Sequence, residues 1–155
     1  MSAIALREAT KDDARQLWLW ANDGSVRTQA FSARPISWTE HIEWLERTLG
    51  AGGSRLWIAE QDRHPIGQFR VDSTGNRGRI SYSIAQDFRG RGLAMVLLRL
   101  GVARACGELD VAVVEGTVKE SNVASWRAFE RAGFALAARI EERGYPCRRY
   151  EWRCR

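Results

Sequence analysis

The chain has 155 residues, of which 45% are apolar, so we expect a single soluble domain over residues 1–155 with one hydrophobic core. Its net charge of +5 favours an anionic ligand, but no recognised nucleic-acid-binding motif is present, and we expect no nucleic-acid partner. Residues 1–7 do not have the pattern of a signal peptide, and no apolar run is long enough to cross a membrane. We therefore predict a cytoplasmic protein without a membrane partner.

The cysteines and histidines indicate neither a disulfide framework nor a metal site. Cys106, Cys147 and Cys154 are odd in number, and a reduced state is the expectation for cytosolic thiols. His41 and His64 lack the partners of a metal site, and there is no Cys-x-x-Cys sequence. We therefore predict that the protein binds no metal.

The first half of the chain predicts a strand, two helices and two further strands. Apolar residues recur at helical spacing after Thr10 and again after Ser37, and both residues begin sequences typical of a capping box. Residues 26–35 are expected to be irregular, because Pro35 argues against a helix through them. The strands of this half are predicted at residues 4–7, 56–60 and 66–71.

The middle of the chain predicts a strand, a glycine turn and a helix. Alternating apolar residues indicate a strand over 80–85, and a helical apolar period begins at Leu93. Gly90 and Gly92 permit positive φ and leave no Cβ in the way of a ligand. Free N–H groups and the helix dipole then make the turn an anion site suited to phosphate. Two arginines add positive charge at its rim: Arg89 and Arg91.

The last part of the chain predicts one more helix between strands. β-branched residues indicate a strand over 111–118, and Asn122 caps a helix that ends at Gly133. The two closing strands are predicted at residues 134–142 and 147–153. The complete order is β-α-α-β-β-β-α-β-α-β-β, which predicts an α/β fold with a mixed sheet.

Two motifs resemble the GNAT superfamily of N-acetyltransferases. Residues 89–94 read Arg-x-x-Gly-x-Ala, which is similar to the acetyl-CoA signature of that superfamily, whereas the Gly-Lys-Ser/Thr of nucleoside-triphosphate loops is absent. Residues 122–134 resemble the helix that flanks the CoA arm in the same superfamily. With the element order, the resemblance implies the GNAT fold over the whole chain, its fourth and fifth strands parallel and splayed.

The resemblance also implies an activity and a cofactor site. The expected reaction is direct transfer of acetyl from acetyl-CoA to a primary amine of a small molecule, without an acylated enzyme. The residues expected to contact CoA lie in the turn and on the flanking helix: Ile84, Ala85, Arg89, Gly90, Arg91, Gly92, Leu93, Ala94, Asn122, Ser125 and Phe129.

The usual acid and base positions depart from the superfamily pattern. Phe129 stands where many relatives have a tyrosine that protonates the CoA thiolate, and Arg79 stands where many have an acidic base. The candidates that remain for proton handling are His41, Tyr82 and Ser125. Each of them also fits a structural role, as a packed histidine, a core tyrosine or part of a helix cap.

The first third of the chain resembles acetyltransferases that modify an amino group on a nucleotide-linked deoxysugar, as in pseudaminic-acid-type pathways. The resemblance implies that the first two helices and the loop between them form the acceptor side. The residues expected to line the pocket are Asn22, Arg27, His41, Trp44 and Ser83. Trp18 and Trp38 lie on apolar helical stripes and are expected in the core, whereas Trp20 and Trp44 lie off them and fit the pocket better.

Two other functions stay open at this point. One is acetylation of a protein N-terminus or side chain, which needs an open groove for a peptide. The other is a catalytically weak acyl-CoA-binding sensor, which Phe129 and Arg79 motivate. Whether the protein is a monomer or a homodimer is also open.

Overall fold

The computed structural model describes residues 3–155, and within them seven strands form one mixed sheet with five α-helices. The strands are β1 (Ile4–Glu8), β2 (Ser54–Gln61), β3 (His64–Thr74), β4 (Arg77–Ile84), β5 (Val113–Lys119), β6 (Ala135–Glu142) and β7 (Tyr145–Arg153). The helices are α1 (Ala14–Ala21), α2 (Gly24–Gln29), α3 (Trp38–Gly50), α4 (Leu93–Glu108) and α5 (Val123–Ala132). Short 3₁₀ turns lie at Lys11–Asp13 and Gln86–Phe88.

The helix starts follow from polar caps in the sequence. Thr10 and Asp13 form the predicted capping box, and the Ser37 hydroxyl accepts a hydrogen bond from the Glu40 N–H at 3.2 Å. The prediction that residues 26–35 are all irregular is wrong, because α2 covers the first four of them. The Asp23 carboxylate begins α2 by accepting from the Ser25 N–H at 2.9 Å, and Pro35 lies too far along the chain to prevent it.

The sheet has the order β1-β2-β3-β4-β5-β7-β6, and only its central pair, β4 and β5, is parallel. The parallel register joins Arg77–Arg79 to Val113–Glu115. Both strands continue beyond it, β4 to Ile84 and β5 to Lys119, without further pairing between them in the described chain. The predicted parallel and splayed fourth and fifth strands are therefore confirmed.

Two hydrophobic clusters cover the two faces of the sheet. The larger packs α4 and α5 on one face, with Phe69, Leu97 and Phe129 among its buried members. The smaller packs α1 and α3 on the opposite face of β2, around Leu45 and Ile58. On that second side, the part formed by β4, β5, β7 and β6 carries partly exposed charged side chains, and we call it the open face. Its ion pairs involve Arg77, Arg79, Arg149, Glu115, Glu142 and Glu151.

Two of the tryptophan predictions are wrong. Trp38 was expected in the core and is 44% exposed, whereas Trp20 was expected in the pocket and is buried in the α1–α3 cluster. The buried residues of α1 are Ala14, Leu17 and Trp20, so the helix turns Trp20 rather than Trp18 toward the core. Trp18 instead packs edge-on against Trp38, with ring centroids 5.3 Å apart. Trp38 is the first residue of α3, whose buried residues are His41, Leu45 and Thr48.

The expectation of three reduced cysteines is also wrong. Cys106 on α4 and Cys154 after β7 form a disulfide that spans 48 residues of sequence, and only Cys147 is free. The hydrogen bond from the Cys154 N–H to the Ala112 carbonyl, at 2.9 Å, holds the end of the chain beside α4. The two cysteines are close only in the folded chain, and their spacing in the sequence does not predict the bond.

Residues 3–155 contain neither a membrane-spanning helix nor a cluster of metal-ligating side chains. No helix in this range has the length and apolar character needed to cross a membrane. No group of three or more metal-ligating side chains occurs there either.

Two glycines of α4 provide a matched test of the packing on β3. A Cβ at Gly101 would lie 2.5 Å from the Phe69 ring, whereas a Cβ at Gly107 meets nothing within 4 Å. We expect Gly101→Ala to lower the free energy of unfolding by about 1–3 kcal/mol. Gly107→Ala should leave it unchanged or raise it by up to about 1 kcal/mol. Urea denaturation measures both, and equal stabilities would contradict the described packing.

Candidate functional site

The glycine turn between β4 and α4 is open and lined by backbone. Gly90 and Gly92 have φ values of 76° and 74°, in the left-handed region that side chains disfavour. Gly92 occupies the N-cap position of α4, and its missing side chain leaves the first N–H groups of the helix without a side-chain cap. A Cβ at either glycine would meet nothing within 4 Å. The turn can therefore admit an anionic group to the start of the helix.

Both predicted arginines lie at this turn. Arg89 donates through Nε to the Ile84 carbonyl at 2.9 Å and through Nη1 to the Ser25 hydroxyl at 2.7 Å. Arg91 donates to the Asp87 carbonyl at 3.1 Å. The first arginine therefore links the turn to the start of α2, in addition to supplying positive charge.

The splay between β4 and β5 brings two of the predicted catalytic hydroxyls together. The Tyr82 hydroxyl lies 2.8 Å from the Ser125 hydroxyl, so it joins β4 to the first turn of α5. Burial raises the pKa of Tyr82, although the hydrogen bond with Ser125 opposes the rise. Ser83 alternates to the open face, where its hydroxyl accepts from the Gln68 amide at 3.3 Å.

Two predicted cofactor residues of α5 also have structural contacts. The side-chain oxygen of Asn122, Oδ1, accepts a hydrogen bond from the Ser125 N–H at 3.4 Å and so caps the helix. Phe129 is 2% exposed and stacks on Tyr150, with ring centroids 5.4 Å apart. A Cβ at Gly116 on β5 would lie 2.4 Å from its ring, so this ring forms the packed floor beneath the splay.

His41 lies apart from the hydroxyl pair, between α1 and α3. Its buried Nε2 donates to the Ala14 carbonyl at 2.8 Å, and its ring centroid is 5.6 Å from that of Trp44. Burial lowers the pKa of this histidine. Among the described residues, the ring has no recorded contact with Tyr82 or Ser125.

Two other predicted acceptor residues shape the loop between α1 and α3. Asn22 exchanges two hydrogen bonds with the backbone of Ile36, at 3.0 and 2.8 Å. Arg27 donates through Nε to the Ala21 carbonyl at 2.7 Å, and burial lowers its pKa. These contacts hold the loop in place.

Trp44 combines partial burial with a cationic neighbour. Its ring is partly exposed, and the guanidinium carbon of Arg70 lies 5.2 Å from the ring centroid. The structure thus retains an aromatic and cationic surface at one of the predicted pocket positions.

Two charged residues of this region were missed from the sequence. Lys119, at the end of β5, is 8% exposed, and its ammonium donates to the Ala30 carbonyl at 2.8 Å and lies 3.8 Å from the Tyr145 ring centroid. Glu142, at the end of β6, accepts from Arg79 at 2.7 Å. Neither residue belongs to a local motif, and only the sheet topology brings their partners to them.

Comparison with known proteins gives one family and many similar structures. A model of the acetyltransferase (GNAT) domain family matches residues 4–135. No curated protein sequence matches the chain. A solved structure of spermidine N-acetyltransferase from Vibrio cholerae, in complex with CoA and spermine, has a TM-score of 0.87 and 18% sequence identity. The match covers 97% of this chain and 95% of that chain.

A second similar structure is AAC(6')-Ib in complex with ribostamycin and coenzyme A. Its TM-score is 0.85 at 19% identity, and the match covers 97% of this chain and 93% of that chain. At these identities the likeness concerns the fold, and the predicted GNAT fold is confirmed. The coenzyme named in both structures is the one expected from the sequence.

The buried state of His41 predicts a pH-dependent stability. Because burial lowers its pKa, the unfolded chain binds a proton more readily, and stability should fall as the pH falls below about 6.5. Between about pH 7.5 and about pH 5.5, we expect a loss of up to about 1.4 kcal/mol per pH unit in urea denaturation. His41→Gln should flatten this slope. The exposed His64 is the control, and a His64→Gln variant that flattened it instead would contradict the assignment.

Proposed function

The chain belongs to the acetyltransferase (GNAT) family, and on that premise we propose that it transfers acetyl from acetyl-CoA directly to a primary amine of a small molecule. The observation that carries the proposal is the open glycine turn at the end of the splayed β4. Such a turn suits the pyrophosphate of CoA, and the unpaired edge of β4 suits the amides of its pantetheine arm.

The proposed CoA site uses the predicted residues in two roles. The backbone of Gly90, Gly92 and Ala94 faces the pyrophosphate, and the neighbouring arginines supply positive charge. Ile84 and Ala85 flank the arm at the end of β4. Asn122 and Ser125 form its other side at the start of α5, and Phe129 packs edge-on against Tyr82 from the core.

The Tyr82–Ser125 hydroxyl pair is the proposed proton donor. Acetyl transfer forms one N–C bond and breaks one C–S bond, so the amine loses a proton and the thiolate gains one. The Tyr82 phenol is protonated at neutral pH, and the Ser125 hydroxyl beside it can relay its proton. Phe129 cannot donate, and the pair lies where β4 meets α5 beside the opening.

A nucleotide-linked aminosugar is the proposed acceptor. The carboxylates of Asp72 on β3 and of Glu115 and Glu151 on the open face are each paired with an arginine. A polyamine or an aminoglycoside is a polycation, and a polycation favours unpaired carboxylates. Arg70 over Trp44 instead suits a ligand that combines an aromatic base with phosphates.

A cytoplasmic location and the lack of nucleic-acid and membrane partners stay predictions. The Cys106–Cys154 bond argues against a cytoplasmic location, because cytosolic thiols are kept reduced.

The second candidate function is a catalytically weak acyl-CoA-binding sensor. Two features favour it. The buried Phe129 cannot donate a proton, and His41 is hydrogen-bonded to the backbone carbonyl of Ala14.

We expect Gly92→Glu to abolish CoA binding, with a rise in Kd of at least about 100-fold, because a side chain and a negative charge would enter the turn. Gly75→Glu is the matched control. Gly75 has a similar φ of 61° and lies in open space at the opposite end of β4. Calorimetric titration with CoA measures both, and retained affinity in Gly92→Glu would refute the site.

The reaction is tested with acetyl-CoA and a panel of amines while free thiol is followed. The panel contains a nucleotide-linked aminosugar, spermidine, an aminoglycoside and a peptide with a free N-terminus. We expect thiol release with the aminosugar and a lower kcat/KM for the polycations. CoA binding without thiol release on any amine would favour the sensor, and the peptide as best acceptor would refute the small-molecule proposal.

A further inference from the structure

The ion pair between Arg79 and Glu142 lies at the point where the central strands separate. Arg79 is the last residue of β4 that pairs with β5, opposite Glu115. Because Ile80 and Tyr82 pack with the α4–α5 core, the alternation of the strand places Arg79 on the open face. The Glu142 carboxylate reaches this point from the end of β6 and accepts from Arg79 Nη2 at 2.7 Å.

The Glu142 carboxylate is accessible at the edge of the open face. Its side chain is 27% exposed, so solvent and an acceptor can reach it. Arg79 from β4 binds Oε2, and within residues 3–155 no hydrogen bond to Oε1 is recorded. Cys147 of β7 is another ionisable neighbour of Glu142, because the carboxylate raises the pKa of its thiol, while Arg79 and Lys119 lower it.

We propose that Glu142 is the general base that receives the proton of the acceptor amine, and that Arg79 positions it. This inference rests on the proposed acetyl transfer. Arg79 occupies the position at which many relatives have an acidic residue that acts as the base, and a carboxylate reaches the same point from β6. Glu142, in the hairpin of β6 and β7, thus supplies the carboxylate that β4 lacks at Arg79.

The assignment places acid and base on opposite sides of the splay. Tyr82 and Ser125 lie on the α5 side, whereas Glu142 lies on the open face. The amine nitrogen bonds to the acyl carbon and gives its proton to Glu142, while the C–S bond breaks and the thiolate takes a proton from the hydroxyl pair. Glu142 then passes its proton to solvent, and the enzyme returns to its starting state once the hydroxyl pair is reprotonated.

The alternative is a surface ion pair without a role in turnover. Arg79 is 54% exposed, and exposed pairs of this kind contribute little to stability. The two roles differ in the pH dependence of the reaction. A base must be deprotonated to act, so its titration appears as the acidic limb of kcat/KM.

The decisive variant is Glu142→Gln, assayed with acetyl-CoA and the nucleotide-linked aminosugar. We expect kcat to fall by about 100-fold or more and the acidic limb of kcat/KM to disappear, with the Kd for CoA unchanged. Glu141→Gln is the matched control, because Glu141 is the exposed neighbour that alternates to the other side of the strand. It should retain the turnover of the wild type.

Arg79→Met gives a second readout. Without its hydrogen-bond partner the Glu142 carboxylate is no longer held at the opening, so kcat should fall while the Kd for CoA stays unchanged, and Arg79→Lys should restore part of the loss. Wild-type turnover and a wild-type pH profile in Glu142→Gln would overturn the assignment of Glu142 as the base but not the proposed acetyl transfer. If the wild-type protein released no thiol with any amine of the panel, the proposed function would fall as well.

Discussion

The structure depends on the short parallel contact between β4 and β5. Three residues of each strand pair, and the contact is held from both sides of the sheet. On the open face Arg77 binds both Glu115 and Glu151, and on the other face the Phe129 ring packs beneath Gly116, where a Cβ would come within 2.4 Å. Beyond these contacts the strands separate, and the edge of β4 becomes available to a ligand. The place where pairing ends therefore determines the position of the reaction.

The two walls of the opening also hold the acceptor side in place. Arg89, in the turn after β4, binds Ser25 at the start of α2. Lys119, at the end of β5, binds the Ala30 carbonyl just after α2 and is covered by the Tyr145 ring. Because α2 itself contributes no buried residue, these two cations supply much of its attachment. The shape of the acceptor pocket is consequently tied to the same strands that are proposed to bind CoA.

What could be predicted from the sequence is what depends on local backbone geometry. Gly92 must adopt a positive φ and Asn122 must cap a helix, and both requirements leave a pattern within a few residues. Contacts between distant segments leave no such pattern, so the Cys106–Cys154 bond and the pair formed by Arg79 with Glu142 were missed. The errors at Trp20 and Trp38 have another cause. Residues 17–20 of α1 are all apolar, and α3 buries the polar His41 and Thr48, so neither buried face could be predicted from apolar spacing.

The central claim is that the opening of β4 and the glycine turn together bind CoA. Hydrogen exchange with and without CoA tests it most directly, because exchange reports protection of individual backbone N–H groups. The account predicts slower exchange in residues 84–94 and at the start of α5, with little change in β1 and β2. CoA binding that left residues 84–94 unprotected, and protected another part of the sheet instead, would contradict it.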